Sequence, residues 1–284
     1  MIPTDSVRSE DVALETAGGT AATIAVILIE SESSIEHALQ ESAQDMGHRI
    51  GNFHNYYTVH PPSIRLQRMG AILDYVRDTS PRKRQRGMQD ERTSPEPFRY
   101  CDLGCNEGDL TIEIARALQG ALQQPVAFKG MDIDAKLIQR ASAKWKNIDN
   151  LSGTFEAANI CTDLDAKIEA RSMDLISMLS TTMWVHVHAG DDGLKRVLEQ
   201  LCRKSSRYLV IEPQPSKCYR NAMIRLRKMG RPELEVSSDR LKWRLTLDDK
   251  IEKTLNNCSF QRVLTDKELT SWNRSIHLYE KRNP

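Results

Sequence analysis

From residue 98 onward, short apolar runs alternate with segments whose apolar residues recur at helical spacing. The sequence predicts strands over Phe98–Leu103, Val126–Asp132, Gly153–Ala158, Met173–Ser180, Tyr208–Glu212, Ser259–Leu264 and Ser275–Glu280. It predicts helices over Gly108–Leu118, Ala135–Trp145, Gly193–Leu201, Ser216–Met229 and Thr246–Leu255, and an earlier one over Ser63–Val76. Strands that alternate with helices form parallel sheets covered on both faces. Because no long helix separates the last two strands, we expect a doubly wound, Rossmann-like α/β fold with a mostly parallel seven-stranded sheet and an antiparallel edge.

The first fifty residues differ from the rest of the chain in charge. They hold nine acidic residues against Arg8 and Arg49, a net charge of −7, which leaves +8 for the remainder of a chain whose total is +1. Their mixture of Ser, Thr, Gly and acids predicts a mostly disordered acidic leader over residues 1–50, followed by one domain over residues 51–284. Residues 79–97 read as a basic loop insertion. The net positive charge of the chain after residue 50 favours a polyanionic partner.

Several protein classes are disfavoured by composition. No apolar run approaches the roughly 20 residues of a membrane-spanning helix, so we expect no membrane association. The six cysteines show no CxxC spacing, which argues against a disulfide framework or a structural zinc site and favours a reducing compartment. We expect a cytoplasmic monomer without a metal. A nuclear location is the alternative, because residues 81–86 form a basic run.

A glycine-containing turn follows the first predicted strand. Gly104 and Gly108 are spaced G-x-x-x-G, unlike the G-x-G-x-x-G of dinucleotide sites, and the intervening Glu107 would repel a pyrophosphate. Asp132 closes the second strand, where an acid can accept hydrogen bonds from both hydroxyls of a ribose. This ordered pair favours S-adenosyl-L-methionine as the cofactor. Asp134 is predicted to be the N-cap of the next helix.

Five further segments carry a resemblance to a known family. They are Gly51–Tyr57, Asp102–Leu110, Ser180–His186, Gly190–Leu194 and Glu212–Pro215. In this order they resemble the bicoid-interacting RNA methyltransferases, over a stretch from Gly51 to about Glu280. The resemblance implies a class I methyltransferase fold and transfer of a methyl group to the 5′-terminal phosphate of an RNA. It also implies cofactor contacts at Arg65, Asn106, Asp132, Asn159, Ile160 and Leu179.

The family has two branches, and the chain is similar to both. One branch methylates a 5′-monophosphate, as on tRNA or precursor RNA, and the other caps the γ-phosphate of a polymerase III small RNA. His60–Pro62, Lys217–Arg220, Arg225–Gly230 and Ser271–Ser275 resemble the monophosphate branch, whereas Gly193–Arg196 resembles the capping branch. We expect the monophosphate activity. The capping activity, a non-catalytic RNA chaperone and a small-molecule methyltransferase remain alternatives.

Methyl transfer to phosphate needs no strong base, because a 5′-monophosphate is mostly dianionic at neutral pH. Orientation and desolvation are the enzyme's contribution. Tyr56, His186 and Gln214 are therefore the candidate catalytic residues, as hydroxyl, imidazole and amide donors. Tyr56 packing over the cofactor and a structural role for His186 are the alternatives. Glu212 is predicted to orient an arginine or a terminal base.

The candidate RNA contacts are basic or aromatic. The segment from Ser216 to Arg231 contains six cations and no acid, which is typical of a track for the RNA backbone. The residues chosen from it are Lys217, Arg220 and Arg225. Near the C-terminus, Trp272 is a candidate for stacking on the terminal nucleotide, with burial in the core as the alternative, and Arg274 is a candidate phosphate contact.

Overall fold

The computed structural model describes residues 56–59, 61–80, 96–228, 241–266 and 274–282, without the side chains of residues 59, 225, 226 and 228. The helices are α1 (Tyr56–Val59), α2 (Pro62–Arg68), α3 (Gly70–Thr79), α4 (Asp109–Leu122), α5 (Ala135–Lys144), α6 (Leu164–Lys167), α7 (Thr182–Lys204), α8 (Ser216–Lys228) and α9 (Leu247–Asn257). The strands are β1 (Phe98–Leu103), β2 (Val126–Asp132), β3 (Leu151–Ala157), β4 (Met173–Leu179), β5 (Ser205–Glu212), β6 (Phe260–Asp266) and β7 (Ile276–Lys281). The predicted leader and most of the predicted loop insertion lie outside the described residues.

The strands form one seven-stranded sheet in the order β3-β2-β1-β4-β5-β7-β6. Strands β1 to β5 pair in parallel, and β7 pairs antiparallel with both β5 and β6. This confirms the predicted doubly wound sheet with an antiparallel edge. The direction of winding reverses between β1 and β4, and such a switch point is where open α/β sheets bind ligands.

Two apolar clusters hold helices against the sheet. One cluster includes Leu103, Met131 and Ile176 and extends to residues of α7 and α9. The other includes Tyr100 and Phe128 and extends to residues of α3 and α4. Alternate residues of β1 and β2 thus enter different clusters, as the side-chain alternation of a strand requires. In the part of the chain described, no helix is long and apolar enough to cross a bilayer.

Helix starts follow local chemistry. Asp134 caps α5 as predicted, because its carboxylate accepts hydrogen bonds from the backbone N–H groups of Lys136 and Leu137. The predicted helix over Ser63–Val76 is instead two helices, α2 and α3, which meet at Met69. Pro62 stands at the first position of α2, where a missing N–H group costs nothing.

The largest difference from the sequence prediction concerns α7, which begins at Thr182 and not at Gly193. Gly190, with φ 72° and ψ −175°, is not helical, so α7 consists of two helical segments joined at a kink, and the predicted helix Gly193–Leu201 lies in the second of them. The first segment, residues 182–189, was not predicted. Residues four apart in this segment share a helical face.

Candidate active site

A cavity of about 450 Å³ lies at the carboxyl ends of the parallel strands. This is within the range of roughly 300–1,000 Å³ that is usual for small-molecule sites. Of the predicted cofactor residues, those lining it are Arg65, Gly104, Asn106, Asp132, Asn159, Ile160 and Leu179. Of the predicted catalytic and RNA-contacting residues, those lining it are Tyr56, Gln214 and Arg274. One cavity therefore collects residues from most of the length of the described chain.

The turn after β1 has a backbone shape that only a small residue permits. Gly104 has φ 80°, and a Cβ atom there would lie 2.2 Å from Oγ1 of Thr181. Asn106 also has a positive φ, 53°, and its N–H group donates to Oδ2 of Asp132 at 2.9 Å. The turn is thus tied to the end of β2, and it packs so closely on Thr181 that a side chain at residue 104 would collide with it.

Asp132 lies at the end of β2, where its carboxylate faces the cavity and is otherwise buried. Its oxygens accept hydrogen bonds from the backbone N–H groups of Asn106 and Asp134. Burial raises the pKa of Asp132 to about 6, and the backbone hydrogen bonds oppose the shift. Near neutral pH the group is an acceptor-only carboxylate, which suits a pair of ribose hydroxyls.

Gly108 is the predicted cofactor residue that does not line the cavity. It is the N-cap of α4, with φ 81°, and a Cβ atom there would lie 2.5 Å from the ring of Phe155. Its smallness therefore serves the close packing of α4 on the sheet. Glu107, beside it, forms ion pairs with Arg140 and Lys144.

The opposite part of the cavity contains a buried polar group that we call the Ser180 cluster. Its members are Tyr56, Arg65, Ser180, Glu212 and Arg274. Oγ of Ser180 accepts hydrogen bonds from Nη2 of Arg65 and Nη1 of Arg274, each at 2.6 Å, and donates to Glu212. Nη2 of Arg65 also donates to the Tyr56 hydroxyl at 2.5 Å. Four distant parts of the chain thus meet at one serine.

The charged members of the Ser180 cluster are two guanidinium groups and one carboxylate. Arg65 and Glu212 are 1% and 0% exposed and form an ion pair, with Nε of Arg65 3.2 Å from Oε2. Burial alone would lower the pKa of Arg65, but Glu212 and Tyr56 raise it above its usual value. One carboxylate therefore faces two guanidinium groups, those of Arg65 and Arg274. The prediction that Glu212 orients an arginine is consistent with this pair.

The predicted grip of Arg65 on a cofactor carboxylate stays a prediction. Nε and Nη2 of Arg65 are engaged by Glu212, Tyr56 and Ser180. A bidentate contact with the cofactor would compete with the ion pair to Glu212, because both use the same planar fork of donors.

Gln214 holds the turn between β4 and α7. Its Oε1 accepts hydrogen bonds from Oγ1 of Thr182 at 2.6 Å and from the N–H group of Met183 at 2.8 Å. Its Nε2 donates to the carbonyl oxygen of Ser180, whose φ of 57° is unusual for a non-glycine residue. Gln214 lines the cavity, but these contacts give it a positioning role toward Ser180.

The structure places His186 away from the cavity. Its ring is 0% exposed, with Nδ1 2.8 Å from the Tyr219 hydroxyl and Nε2 2.6 Å from Oδ1 of Asp191. Burial lowers the pKa of His186, while Asp191 opposes the shift. Since both nitrogens have protein partners, the predicted contact of His186 with phosphate is corrected to the structural alternative.

Trp184 and His188 line the cavity, although the sequence analysis gave neither a role in the site. Their rings are stacked, with centroids 6.3 Å apart and planes inclined by 27°. Residues four apart lie on one face of a helix, so a helix predicted for this segment would have placed the two rings together. The same reasoning locates Cys218 and Asn221 of α8, three residues apart, which also line the cavity.

The remaining predicted RNA contacts lie at the rim or outside the described part of the structure. Lys217 and Arg220 are exposed on α8. Arg225 belongs to α8, but its side chain lies outside the described residues, as does Trp272. Within the described ranges, no group of three or more His, Cys, Asp or Glu side chains is arranged to hold a metal ion.

Comparisons with known proteins identify the family of the chain. Residues 173–281 match the family model described as Bicoid-interacting protein 3. The chain is 31% identical over 247 residues to the pre-miRNA 5′-monophosphate methyltransferase of Xenopus laevis, covering 82% of this chain and 93% of that relative. It is 30% identical over 137 residues to the U6 snRNA methylphosphate capping enzyme Amus of Drosophila melanogaster, covering 43% of this chain and 44% of the relative.

A solved structure supports the fold. The bifunctional kinase-methyltransferase WbdD superposes with a TM-score of 0.51 at 16% identity, covering 79% of this chain and 41% of that one. The likeness concerns the fold alone, whereas the Xenopus laevis relative extends over most of both sequences. The chain therefore has a methyltransferase fold and belongs to the Bicoid-interacting protein 3 family, as the resemblance of its motifs predicted.

Proposed function

We propose that this chain is an S-adenosyl-L-methionine-dependent methyltransferase that acts on the 5′-monophosphate of an RNA. The observation that carries the proposal is the single cavity that joins the Gly104 turn and Asp132 to the positively charged Ser180 cluster. Relatives named for this activity, which cover most of the chain, support it. RNA with a 5′-phosphate end is the partner this implies.

The residues at the ends of β1, β2 and β3 suit the cofactor. The part of the cavity lined by Gly104 and Asn106 accepts the aminoacyl end, Asp132 accepts hydrogen bonds from the ribose, and Asn159 with Ile160 suits the adenine. Bound there, S-adenosyl-L-methionine supplies an electrophilic methyl group. The chain's contribution is to hold that end of the cofactor in one orientation.

The Ser180 cluster suits the phosphate. Arg274 and Arg65 bring positive charge to one edge of the cavity, and the Tyr56 hydroxyl, which accepts from Arg65, adds a neutral group whose own proton can be donated to an anion. A dianionic phosphate needs no base to attack a methyl group. The cluster therefore binds and orients the anion, while Glu212 limits the total positive charge so that the attacking oxygen stays nucleophilic.

The test compares RNAs of one sequence that carry a 5′-hydroxyl, a 5′-monophosphate or a 5′-triphosphate, incubated with the purified chain and labelled cofactor. We expect label on the monophosphate RNA. Arg274→Ala is expected to reduce kcat/KM for that RNA by roughly 10- to 100-fold, the effect of losing a hydrogen bond to a charged group. Arg116→Ala is the matched control, since Arg116 is exposed on α4 and pairs with Glu113.

The alternatives have distinct outcomes. Preferential labelling of the triphosphate RNA would assign the chain to the capping activity, for which the Drosophila melanogaster relative is the precedent. Cofactor binding without labelling of any RNA would favour a chaperone. The acidic leader, the monomeric state and the cytoplasmic or nuclear location stay predictions.

A further inference from the structure

One part of the cavity wall is aromatic and has no role in the site proposed above. Trp184 and His188 project from the first two turns of α7, with their rings stacked, and both line the cavity. Cys218 and Asn221 of α8 line it as well. This wall therefore combines two π faces with the amide of Asn221.

The aromatic wall begins close to the phosphate-binding residues. Helix α7 begins at Thr182, two residues after Ser180, and Trp184 and His188 lie roughly 3 and 9 Å along its axis from that start, at a rise of about 1.5 Å per residue. A base joined through its ribose to a phosphate at Ser180 has a reach of this order. The exposed Lys217 and Arg220 of α8 lie beside the same wall and suit the next phosphates of a strand.

Sheet order separates this wall from the adenine end of the cofactor. The residues suited to ribose and adenine, Asp132 and Asn159, follow β2 and β3. The aromatic wall follows β4 and β5, which lie on the other side of β1 in the order β3-β2-β1-β4-β5. The two sites that could each hold a flat ring are thus on opposite sides of the switch point.

We propose that Trp184 and His188 form a stacking platform for the unpaired 5′-terminal nucleobase of the RNA substrate. The inference rests on the proposed function, because it places the base by reference to the 5′-phosphate. Stacking on an aromatic ring tolerates every base, so the platform selects an unpaired end and not a particular nucleotide. A terminal base that is paired in a blunt duplex is withheld from it.

The test is a thermodynamic cycle in which Trp184 is substituted in the protein and the terminal base is removed from the RNA, each change alone and both together. Two 3′-labelled RNAs both carry a 5′-monophosphate. They differ only in that the 5′-terminal nucleotide of the second RNA lacks its base. Their affinities are measured by fluorescence anisotropy for the unmodified chain, Trp184→Ala and Trp184→Phe. For the unmodified chain, loss of the base is expected to weaken binding about 5- to 100-fold.

For Trp184→Ala, the same loss of the base is expected to change the affinity less than about 2-fold, because residues in contact couple and distant ones add. Trp184→Phe is expected to fall between the two. Cofactor affinity, measured by calorimetry, is expected to be unchanged in both variants. If Trp184→Ala does not fold, His188→Ala and Trp184→Phe complete the cycle.

Two results would overturn the platform. One is an equal cost of base removal in the unmodified chain and the variants. The other is a loss of cofactor affinity in Trp184→Ala, which would assign the ring to the cofactor. Failure of the proposed function is seen separately, as unmodified chain that binds the RNAs without regard to the 5′-phosphate and does not methylate them.

Discussion

The cavity has two halves that are built in different ways. In the cofactor half, the turn at Gly104–Asn106 and the end of β2 at Asp132 are joined by backbone hydrogen bonds. In the substrate half, the Ser180 cluster joins side chains that are up to 147 residues apart in sequence. The first half depends on the shape of a short stretch of backbone, and the second on a balance of buried charges.

This difference predicts different sensitivities to mutation. In the cofactor half, the sensitive positions are expected to be the glycine of the turn and the carboxylate that faces the cavity. A site made by buried charges tolerates little, because each charge needs its partner to offset the cost of desolvation. Substitutions in the two halves test whether this distinction holds.

The largest effect is expected for Glu212→Ala. The change leaves the guanidinium of Arg65, which is 1% exposed, without its carboxylate partner. Breaking a buried ion pair in this way lowers the free energy of unfolding by about 3–5 kcal/mol. Denaturant-induced unfolding of the purified variant measures the change.

The matched control is Glu113→Ala, which removes the partner of Arg116 on the surface of α4. An exposed pair of this kind contributes about 1 kcal/mol or less. The double variant Arg65→Met with Glu212→Leu is expected to recover most of the stability, without activity. Equal unfolding free energies for Glu212→Ala and Glu113→Ala would contradict the account of the substrate half.

The fold was predictable because its elements are encoded locally. Strands β1 and β2 have the bounds expected from their apolar runs, Phe98–Leu103 and Val126–Asp132. The start of α7 was missed because Gly190 and two aspartates interrupt its apolar periodicity, which is typical of a loop. Gly190 permits a kink there, and the helical segment before it is held in place by the burial of Met183 and Val187.

In the candidate site, too, the features that depend on local sequence were predictable and those that depend on long-range contacts were not. Gly104 and Asp132 could be located from the sequence, since a turn and the end of a strand are local features. Ser180 and the placement of His186 could not, because they depend on which distant side chains meet. His186 is an example, because the Ser180–His186 segment lies beside the cavity but the ring of His186 is buried in the core.

The next largest effect concerns the cofactor half and pH. The pKa of Asp132 is raised to about 6, chiefly by burial, so the group becomes protonated as the pH falls through that value. A protonated carboxyl accepts fewer hydrogen bonds, and the affinity for S-adenosyl-L-methionine is expected to fall below pH 6. The stability of the cofactor-free protein is expected to respond to pH in the opposite direction. Because the pKa of Asp132 is raised in the folded state, ionised Asp132 lowers the free energy of unfolding, and its protonation on acidification removes this loss.

Calorimetric titration with cofactor between about pH 5 and pH 8 tests this expectation. Asp132→Asn is expected to lower the affinity roughly 10- to 100-fold at neutral pH and to remove the dependence on pH near 6. Asp109→Asn, a partly exposed position that pairs with Lys144, serves as the control. A dependence that persists in Asp132→Asn would assign the titrating group elsewhere.

The smallest of the three effects compares two glycines. At Gly104, alanine would have to adopt φ 80° and place its Cβ atom 2.2 Å from Oγ1 of Thr181, so we expect a loss of about 1–3 kcal/mol in unfolding free energy together with weaker cofactor binding. At Gly120, in the last turn of α4, nothing lies within 4 Å of the added Cβ atom, and alanine is expected to stabilise the chain by up to about 1 kcal/mol. Thermal unfolding of the two variants should therefore shift in opposite directions. If Gly104→Ala kept both its stability and its cofactor affinity, the claim that the cofactor half of the cavity depends on the backbone shape of the Gly104 turn would be wrong.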